Sequence, residues 1–334
     1  MLFSQSPTEF ILQQYQFFLA QIEALEKDYN INTLTDGVVT ISKKGLAQPK
    51  SNKVDLTLSA LIHGNEVYGV GVLNQVLTWL RQQSIDLPIH LGLIIGNLKG
   101  AQQGKRFLDK DLNRSFGAEK SKTAAYEVER AAKLATLMAN TELFLDFHQT
   151  IEPSKTPFFI FPYQPRALAF AQALMPTLPV VTHWGKGFSQ DGMSSDEFVQ
   201  SRGGCGITVE CGQAGSDPLQ IALGAQLALN AIYTAKNARS LTKPKSTSHL
   251  FTLAESLPNQ HELQPKLLPG LKNFTPVDLG ETLGTTSAGD IIAPISGWTL
   301  FPKYIQKDTP KDKQPKELVR IIRKVNENEL PRED

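Results

Sequence analysis

Residues 54–62, VDLTLSALI, lead directly into residues 63–66, HGNE, and this segment is the strongest indication of the fold. The nine apolar-rich residues predict a buried strand, and a helical pattern begins immediately after the HGNE motif. A strand followed by a helix is typical of an open α/β sheet, where sites lie at the carboxyl ends of the strands. His63 and Glu66 are three residues apart at such an end, so both side chains can turn inward onto one ion.

A second histidine, His148, ends another apolar run, LFLDFH at residues 143–148. Two imidazoles and one carboxylate, with one position left to water, are the ligand set of a catalytic zinc hydrolase. We therefore expect His63, Glu66 and His148 to hold one zinc ion. Asp146 either orients a ligand histidine from behind or is simply a carboxylate near the end of a strand.

Strands and helices alternate along the first 240 residues. We predict strands at residues 37–41, 54–62, 89–95, 143–147, 157–161 and 206–210, and helices at residues 7–28, 67–79, 123–139, 166–174 and 218–235. This alternation predicts a doubly wound α/β fold with a mixed, mostly parallel sheet. After residue 240 prolines become frequent and the patterns become short and β-like. We therefore expect a catalytic domain at residues 1–240 and a small β-rich domain at residues 241–334.

The composition excludes several classes of protein. The chain has 334 residues, 41% of them hydrophobic, and a net charge of +1, which gives no reason to expect a nucleic acid or membrane partner. Its apolar runs are too short to cross a bilayer, and the first ten residues lack a signal-peptide pattern. The two cysteines cannot form a disulfide framework, so we expect a cytoplasmic protein. Homo-oligomerisation is left open.

Glu210 lies inside the apolar run ITVEC at residues 207–211. An unpaired carboxylate is costly in such surroundings. Beside the metal it would act as general base toward water and then as general acid toward the leaving amine. The alternative is a structural ion pair with a nearby arginine. We favour catalysis, because perturbed carboxylates gather at functional sites.

Residues 106–114, RFLDKDLNR, carry two guanidinium groups and an amide in a loop between a strand and a helix. Arg106, Asn113 and Arg114 suit the bidentate capture of a substrate carboxylate. The alternative is a solvated basic loop. Arg202 is a further candidate for a second carboxylate contact.

Four motifs in this order resemble those of the succinylglutamate desuccinylase/aspartoacylase family, a branch of the zinc carboxypeptidase fold. They are HGNE at residues 63–66, R-x-x-D-x-D-L-N-R at residues 106–114, D-x-H at residues 146–148 and I-x-V-E-x-G at residues 207–212. The resemblance implies that Arg106 also polarises the scissile carbonyl. It further implies that the carboxy-terminal region packs over the active site and contacts substrate, with Tyr304 as a candidate.

The residues and the resemblance together predict a zinc-dependent amidohydrolase that deacylates an N-acyl amino acid. The expected substrate is a small anionic amide similar to succinylglutamate or acetylaspartate. One alternative is a zinc carboxypeptidase acting on peptides, which an elongated open cleft would favour. Another is a non-catalytic metal- or carboxylate-binding protein, which a misplaced Glu210 or a fully coordinated metal would favour.

Overall fold

Strand β3, Val54–Ala60, lies in the interior of a large sheet and leads to the HGNE motif. The structure is a computed structural model that describes residues 6–47, 53–117, 125–184, 188, 191–306, 309–310 and 314–331. The other strands are β1 Tyr29–Thr35, β2 Val38–Lys43, β4 Leu91–Ile95, β5 Thr141–Thr150, β6 Phe158–Pro162, β7 Val180–His183, β8 Cys205–Gln213, β9 Leu250–Pro258, β10 Lys266–Leu267, β11 Pro276–Val277, β12 Thr282–Thr286, β13 Gly289–Ile292, β14 Gly297–Leu300 and β15 Glu317–Lys324.

Helices cover the sheet and connect its strands. They are α1 Pro7–Leu25, α2 Tyr68–Arg81, α3 Leu98–Gln102, α4 Tyr126–Met138, α5 Pro165–Leu174, α6 Ser195–Ser201 and α7 Pro218–Ala235. Local sequence sets several of their starts: Ser6 and Glu9 form a capping box around the first turn of α1, and Asp217 caps α7 just before Pro218. Among the described residues, no helix has both the length and the apolar character needed to cross a membrane.

The large sheet is mixed, with parallel pairing at its centre. In the described part of the chain its order is β1-β2-β4-β3-β5-β8-β6-β7-β9-β15-β14-β11. Strands β4, β3, β5 and β8 are parallel neighbours, as are β6, β7 and β9. The remaining pairs are antiparallel. Because β3, β5 and β8 are adjacent and parallel, their carboxyl ends meet at one edge, and this edge carries three of the four motifs.

The observed elements confirm the mixed α/β class and most of the predicted strands and helices. Strands β1 and β7 and helices α3 and α6 were not predicted. Residues 123–124 of the predicted helix 123–139 lie outside the described residues.

Beyond residue 240 the described chain is rich in strands, as expected. However, β9, β15, β14 and β11 extend the large sheet, while β10, β12 and β13 form a second sheet. The division into domains at residue 240 stays a prediction.

Candidate active site

The HGNE turn is shaped by close backbone packing directly after β3. Leu61 has a φ of 61°, a left-handed conformation that reverses the chain direction at the end of the strand. Gly64 lies against the segment before Arg106: a Cβ at Gly64 would come within 2.4 Å of the nitrogen of Ala101 and the carbonyl oxygen of Lys105. A glycine is therefore required at this position, and the turn brings His63 and Glu66 to face each other.

The three predicted metal ligands lie together and are almost wholly buried. The Nδ1 atom of His63 is 2.9 Å from Oε1 of Glu66, and Nδ1 of His148 is 3.0 Å from Oε2 of the same carboxylate. Each side chain is no more than 4% exposed. One ligand atom from each of the three residues lies within 4.8 Å of the others, so the group could hold one metal ion.

The outer nitrogens of the two imidazoles show why a cation fits this cluster. Nε2 of His63 lies 3.0 Å from Oδ1 of Asp111, and Nε2 of His148 lies 2.9 Å from Oδ2 of Asp146. When the ring of His148 is neutral, its Nε2–H donates to Asp146 and the lone pair of its Nδ1 faces Oε2 of Glu66 over 3.0 Å. Two acceptors then face each other at this point of the cluster. A metal cation would satisfy them, and carboxylate-bound imidazoles are the usual environment of metal ligands.

In this cluster each charged group stabilises the ionised form of its neighbour, so the pKa of Glu66 is lowered and that of His148 is raised. Burial alone would raise the pKa of Glu66, but the two histidines outweigh it and hold that pKa well below its ordinary value. Burial alone would lower the pKa of His148, but Asp146 and Glu66 raise it well above normal. The carboxylate form of Glu66 is therefore favoured, as a metal ligand requires.

Asp146 contacts His148 from behind, which is the first of the two roles considered for it. Its side chain is fully buried, and the same oxygen that contacts His148 also accepts a short hydrogen bond from the hydroxyl of Ser195. Ser195 begins helix α6, so this helix and strand β5 together fix the ring of His148.

Glu210 lies beside the cluster on the neighbouring strand. It is opposite His148 in the parallel register of β5 and β8, and it lines the same cavity. Its Oε2 atom is buried and has no hydrogen-bond partner among the described residues. Burial, followed by the negative charge of Glu66, raises the pKa of Glu210 to about 8. A carboxyl group held in this way is able to take up and release a proton near neutral pH.

Arg106, Asn113 and Arg114 also line this cavity. Arg106 donates from Nη1 to Oε1 of Glu66 over 2.9 Å, so its guanidinium lies at the edge of the cluster. The side-chain oxygen of Asn113 accepts from the backbone amide of Ser195 over 2.9 Å. Arg114 donates to the backbone oxygen of Asn113 over 2.6 Å. The loop thus brings both arginines to the wall of the cavity nearest the histidines.

A buried carboxylate that the motifs do not include, Glu127, holds the loop in place. It lies in the first turn of α4 and accepts hydrogen bonds from the backbone amides of residues 108–110 over 2.7, 3.0 and 3.1 Å. It also accepts from the side chain of Asn97 over 3.1 Å. An acidic residue near a helix start is common, so its spacing alone gave no signal for this role.

We expect Glu127→Ala to lower the free energy of unfolding by about 1.5–3 kcal/mol, because buried amides lose a charged acceptor. Catalytic efficiency should also fall, since Arg106 and Arg114 are carried by the same loop. Chemical denaturation measures the first effect. Glu129→Ala is the matched control: Glu129 is exposed in the same helical turn, and its loss should cost less than about 0.5 kcal/mol. Equal effects of the two variants would contradict a role for Glu127 in holding the loop.

Part of the cavity wall comes from segments that the motifs do not cover. The cavity has a volume of about 190 Å³. Residues far from the histidines in sequence that line it include Phe188, Phe301, Lys303, Glu317 and Arg320. The expectation that the carboxy-terminal region reaches the site therefore agrees with the structure.

Two of the predicted substrate contacts are not brought to the cavity. Arg202 ends helix α6, is exposed and lies over the ring of Phe198 at 5.1 Å. The hydroxyl of Tyr304 binds the backbone of Leu268 and Leu271. Neither residue is part of the cavity wall in the described structure. The short helix turns Arg202 outward, which could not be deduced from its distance to Glu210 along the chain.

The fold and the site define a class: an α/β protein with a buried His-Glu-His group and a free carboxyl group at the carboxyl ends of parallel strands. The profile described as "Succinylglutamate desuccinylase/Aspartoacylase catalytic domain" matches residues 52–234, more than half of the chain. The protein therefore belongs to the succinylglutamate desuccinylase/aspartoacylase family.

Individual relatives agree with this assignment. The chain is 28% identical over 305 residues to the succinylglutamate desuccinylase of Serratia proteamaculans (strain 568), covering 84% of this chain and 90% of that protein. It is 33% identical over 141 residues to the same enzyme of Yersinia pestis (strain Pestoides F), covering 39% of this chain and 41% of that protein.

Solved structures share the fold. The succinylglutamate desuccinylase of Vibrio cholerae aligns with a TM-score of 0.67 at 19% identity, covering 93% of this chain and 95% of that one. Murine aminoacylase 3 aligns with a TM-score of 0.56 at 18% identity, covering 82% of this chain and 97% of that one. At these identities the likeness shows a common mixed α/β architecture.

Proposed function

We propose that the protein is a zinc-dependent amidohydrolase that removes the acyl group from a small anionic N-acyl amino acid. The observation that carries the proposal is the convergence of His63, Glu66 and His148 at one wall of a cavity, with Glu210 and Arg106 beside them. Membership of the family supports a deacylase, because the relatives are named as desuccinylases and aminoacylases.

His63 and His148, through Nδ1, and Glu66, through its carboxylate, would hold one zinc ion per chain. When bound, zinc supplies a Lewis acid for the amide carbonyl and lowers the pKa of water to about 7. Asp111 and Asp146 keep the two rings oriented by accepting hydrogen bonds from their Nε2 atoms.

Glu210 moves the proton in this proposal. Its carboxylate accepts a proton from water as the water oxygen bonds to the carbonyl carbon. It then donates that proton to the amide nitrogen as the carbon–nitrogen bond breaks, leaving a carboxylic acid and a free amine. The absence of a hydrogen-bond partner for Oε2 among the described residues supports this role, because the oxygen is left available to water or the amide nitrogen.

Arg106 and Arg114 orient the substrate. Arg106 lies nearest the cluster and donates toward Glu66, so its remaining N–H groups suit the carbonyl oxygen as negative charge develops there. Arg114, with Asn113, suits a carboxylate next to the scissile amide. We therefore expect the substrate to carry a negative charge close to that amide.

A small substrate is favoured over a peptide. The carboxy-terminal region contributes part of the cavity wall through Phe301, Lys303 and Arg320. A volume of about 190 Å³ suits a small molecule, whereas a peptidase needs an open cleft for the rest of the chain. The two buried free cysteines support a reducing, cytoplasmic setting, and the net charge of +1 supports neither nucleic acid nor membrane as a partner.

We expect the purified protein to contain about one zinc per chain and to hydrolyse members of a panel of N-acyl amino acids. Metal analysis and amine release measure the two properties. His148→Ala should lose most of the zinc and the activity while keeping the circular dichroism of a folded chain. His90→Ala is the matched control, because His90 contacts Asp55 outside the cavity. Full zinc occupancy in His148→Ala would remove His148 from the ligand set.

A further inference from the structure

Arg320 is a buried guanidinium in the cavity wall that the proposed chemistry does not use. It lies on strand β15 and its side chain is only 13% exposed. The side-chain hydrogen bonds of Arg320 to described residues leave from Nε, which donates to both oxygens of Glu317 over 2.8 and 2.9 Å. Nη1 is buried without a partner in the described part of the chain. A buried guanidinium nitrogen at a cavity that lacks such a partner suits a ligand that accepts hydrogen bonds.

The neighbours of Arg320 fix its plane before any ligand arrives. Its guanidinium carbon lies 3.9 Å from the ring centre of Phe188, and Glu317 holds it from the side. Stacking on an aromatic ring and a carboxylate restrict the side chain, so little conformational freedom remains to be lost on binding. Such preorganised guanidinium groups recognise planar, two-oxygen anions well.

The charges on this wall do not cancel. Glu317 also accepts a hydrogen bond from Nζ of Lys303 over 2.8 Å, so two cations share one carboxylate. Burial alone would raise the pKa of Glu317, but Lys303 and Arg320 lower it to about 2, and the group is ionised at neutral pH. The trio keeps one positive charge in a wall that is largely shielded from solvent. An anion in the cavity would neutralise it.

This wall is separate from the loop that carries Arg106 and Arg114, yet both line one cavity. A substrate with a single carboxylate, held by Arg114, would leave the net positive charge of Lys303, Glu317 and Arg320 without a counter-ion from the substrate. We propose that Arg320 is a specificity-determining residue that binds a second carboxylate of the substrate. The inference rests on the proposed function. The second carboxylate belongs either to the acyl group or to the amino acid side chain, and the experiment separates these sources.

The test uses four substrates of similar size that differ in which carboxylates they carry: N-succinyl-glutamate, N-butanoyl-glutamate, N-succinyl-glutamine and N-butanoyl-glutamine. The zinc-loaded wild-type protein should lose at least tenfold in kcat/KM when the carboxylate held by Arg320 is missing. A loss on replacing succinyl by butanoyl assigns it to the acyl group. A loss on replacing glutamate by glutamine assigns it to the side chain. No loss on either replacement overturns the proposal.

Arg320→Gln should abolish this preference by lowering kcat/KM for the substrates that carry the second carboxylate. Arg320→Lys keeps the charge but not the paired N–H geometry, so it should retain only part of the preference. Arg323→Gln is the matched control: Arg323 is on the same strand but pairs with Glu329 outside the cavity, and its loss should leave the preference intact. A preference that persists unchanged in Arg320→Gln overturns the proposal.

Two further measurements keep the result decisive. If none of the four compounds is hydrolysed, the proposed function fails, and calorimetric binding of the same compounds decides on Arg320 by itself. Binding of N-succinyl-glutamate should then weaken at least tenfold in Arg320→Gln, and unchanged affinity overturns the role. If Arg320→Gln does not fold, Glu317→Gln tests the same contact, and the preference should change in the opposite direction. Removing the competing carboxylate should increase the preference at least threefold, and an unchanged or smaller preference overturns the proposal.

Discussion

Replacing Glu210 by glutamine should reduce turnover about a hundredfold or more while the zinc content stays near that of the wild type. Glutamine keeps the size of the side chain but cannot take a proton from water, and loss of a general base has an effect of this order. Metal content should be preserved, because the candidate ligands are other residues: His63, Glu66 and His148.

Single-turnover and steady-state rates on a verified substrate, with metal analysis of the same samples, measure the effect. Glu210→Asp is the informative companion, because it keeps a carboxylate but moves it back by one methylene. It should recover part of the turnover that the glutamine variant loses. Unchanged turnover in Glu210→Gln would assign the base to another group. Loss of the zinc together with the activity would instead make Glu210 part of the metal site.

The cluster of His63, Glu66 and His148 could be predicted from the sequence because of a property of parallel sheets. The HGNE, D-x-H and V-E motifs each end a hydrophobic run, and the carboxyl ends of parallel strands meet at one edge. Strands β3, β5 and β8 are adjacent, so motifs that are about 60–80 residues apart along the chain become neighbours. The contact of Asp146 with His148 follows from the same geometry, since residues two apart on a strand share a face.

The part of the cavity wall that Lys303 and Arg320 form could not be predicted in this way. Arg320 and Lys303 reach the cavity because β15 pairs with β9, which continues the same sheet beyond β7. This pairing is long-range and leaves no pattern of spacing in the sequence. Arg202 shows the converse: it is close to Glu210 along the chain, but a short helix, Ser195–Ser201, directs it to the exterior. Distance in sequence was therefore a poor guide to which arginines line the cavity.

The elements that the sequence did not predict have weak local signals. Strand β1 carries mostly polar residues, with one fully buried position in seven, because it lies at the edge of the sheet. Strand β7 has only four residues, too few for a period to be recognised. Helix α6 has seven residues and depends on a capping box at Ser194 and Glu197 more than on an apolar stripe. Long helices with strong patterns, such as α7, were predicted with the observed bounds.

Arg114→Ala should weaken catalytic efficiency strongly for N-acyl amino acids and much less for their amidated, carboxylate-free analogues. An unpaired, desolvated carboxylate costs about 2–5 kcal/mol by analogy with buried charge pairs at interfaces. The position of Arg114 in the cavity wall beside Asn113 supports such a contact. Lys110→Ala is the matched control, because Lys110 is exposed on the same loop and lies outside the cavity wall.

Arg106→Ala should differ from Arg114→Ala in which kinetic constant it changes. Arg106 donates to Glu66 at the edge of the cluster, so its loss removes a cation from the place where negative charge develops on the carbonyl oxygen. We expect most of its effect in kcat, for charged and amidated substrates alike. The effect of Arg114→Ala should instead depend on the substrate carboxylate. If Arg114→Ala lowers catalytic efficiency equally for charged and amidated substrates, the loop has a structural role. The result would then favour a peptide substrate over a small anion.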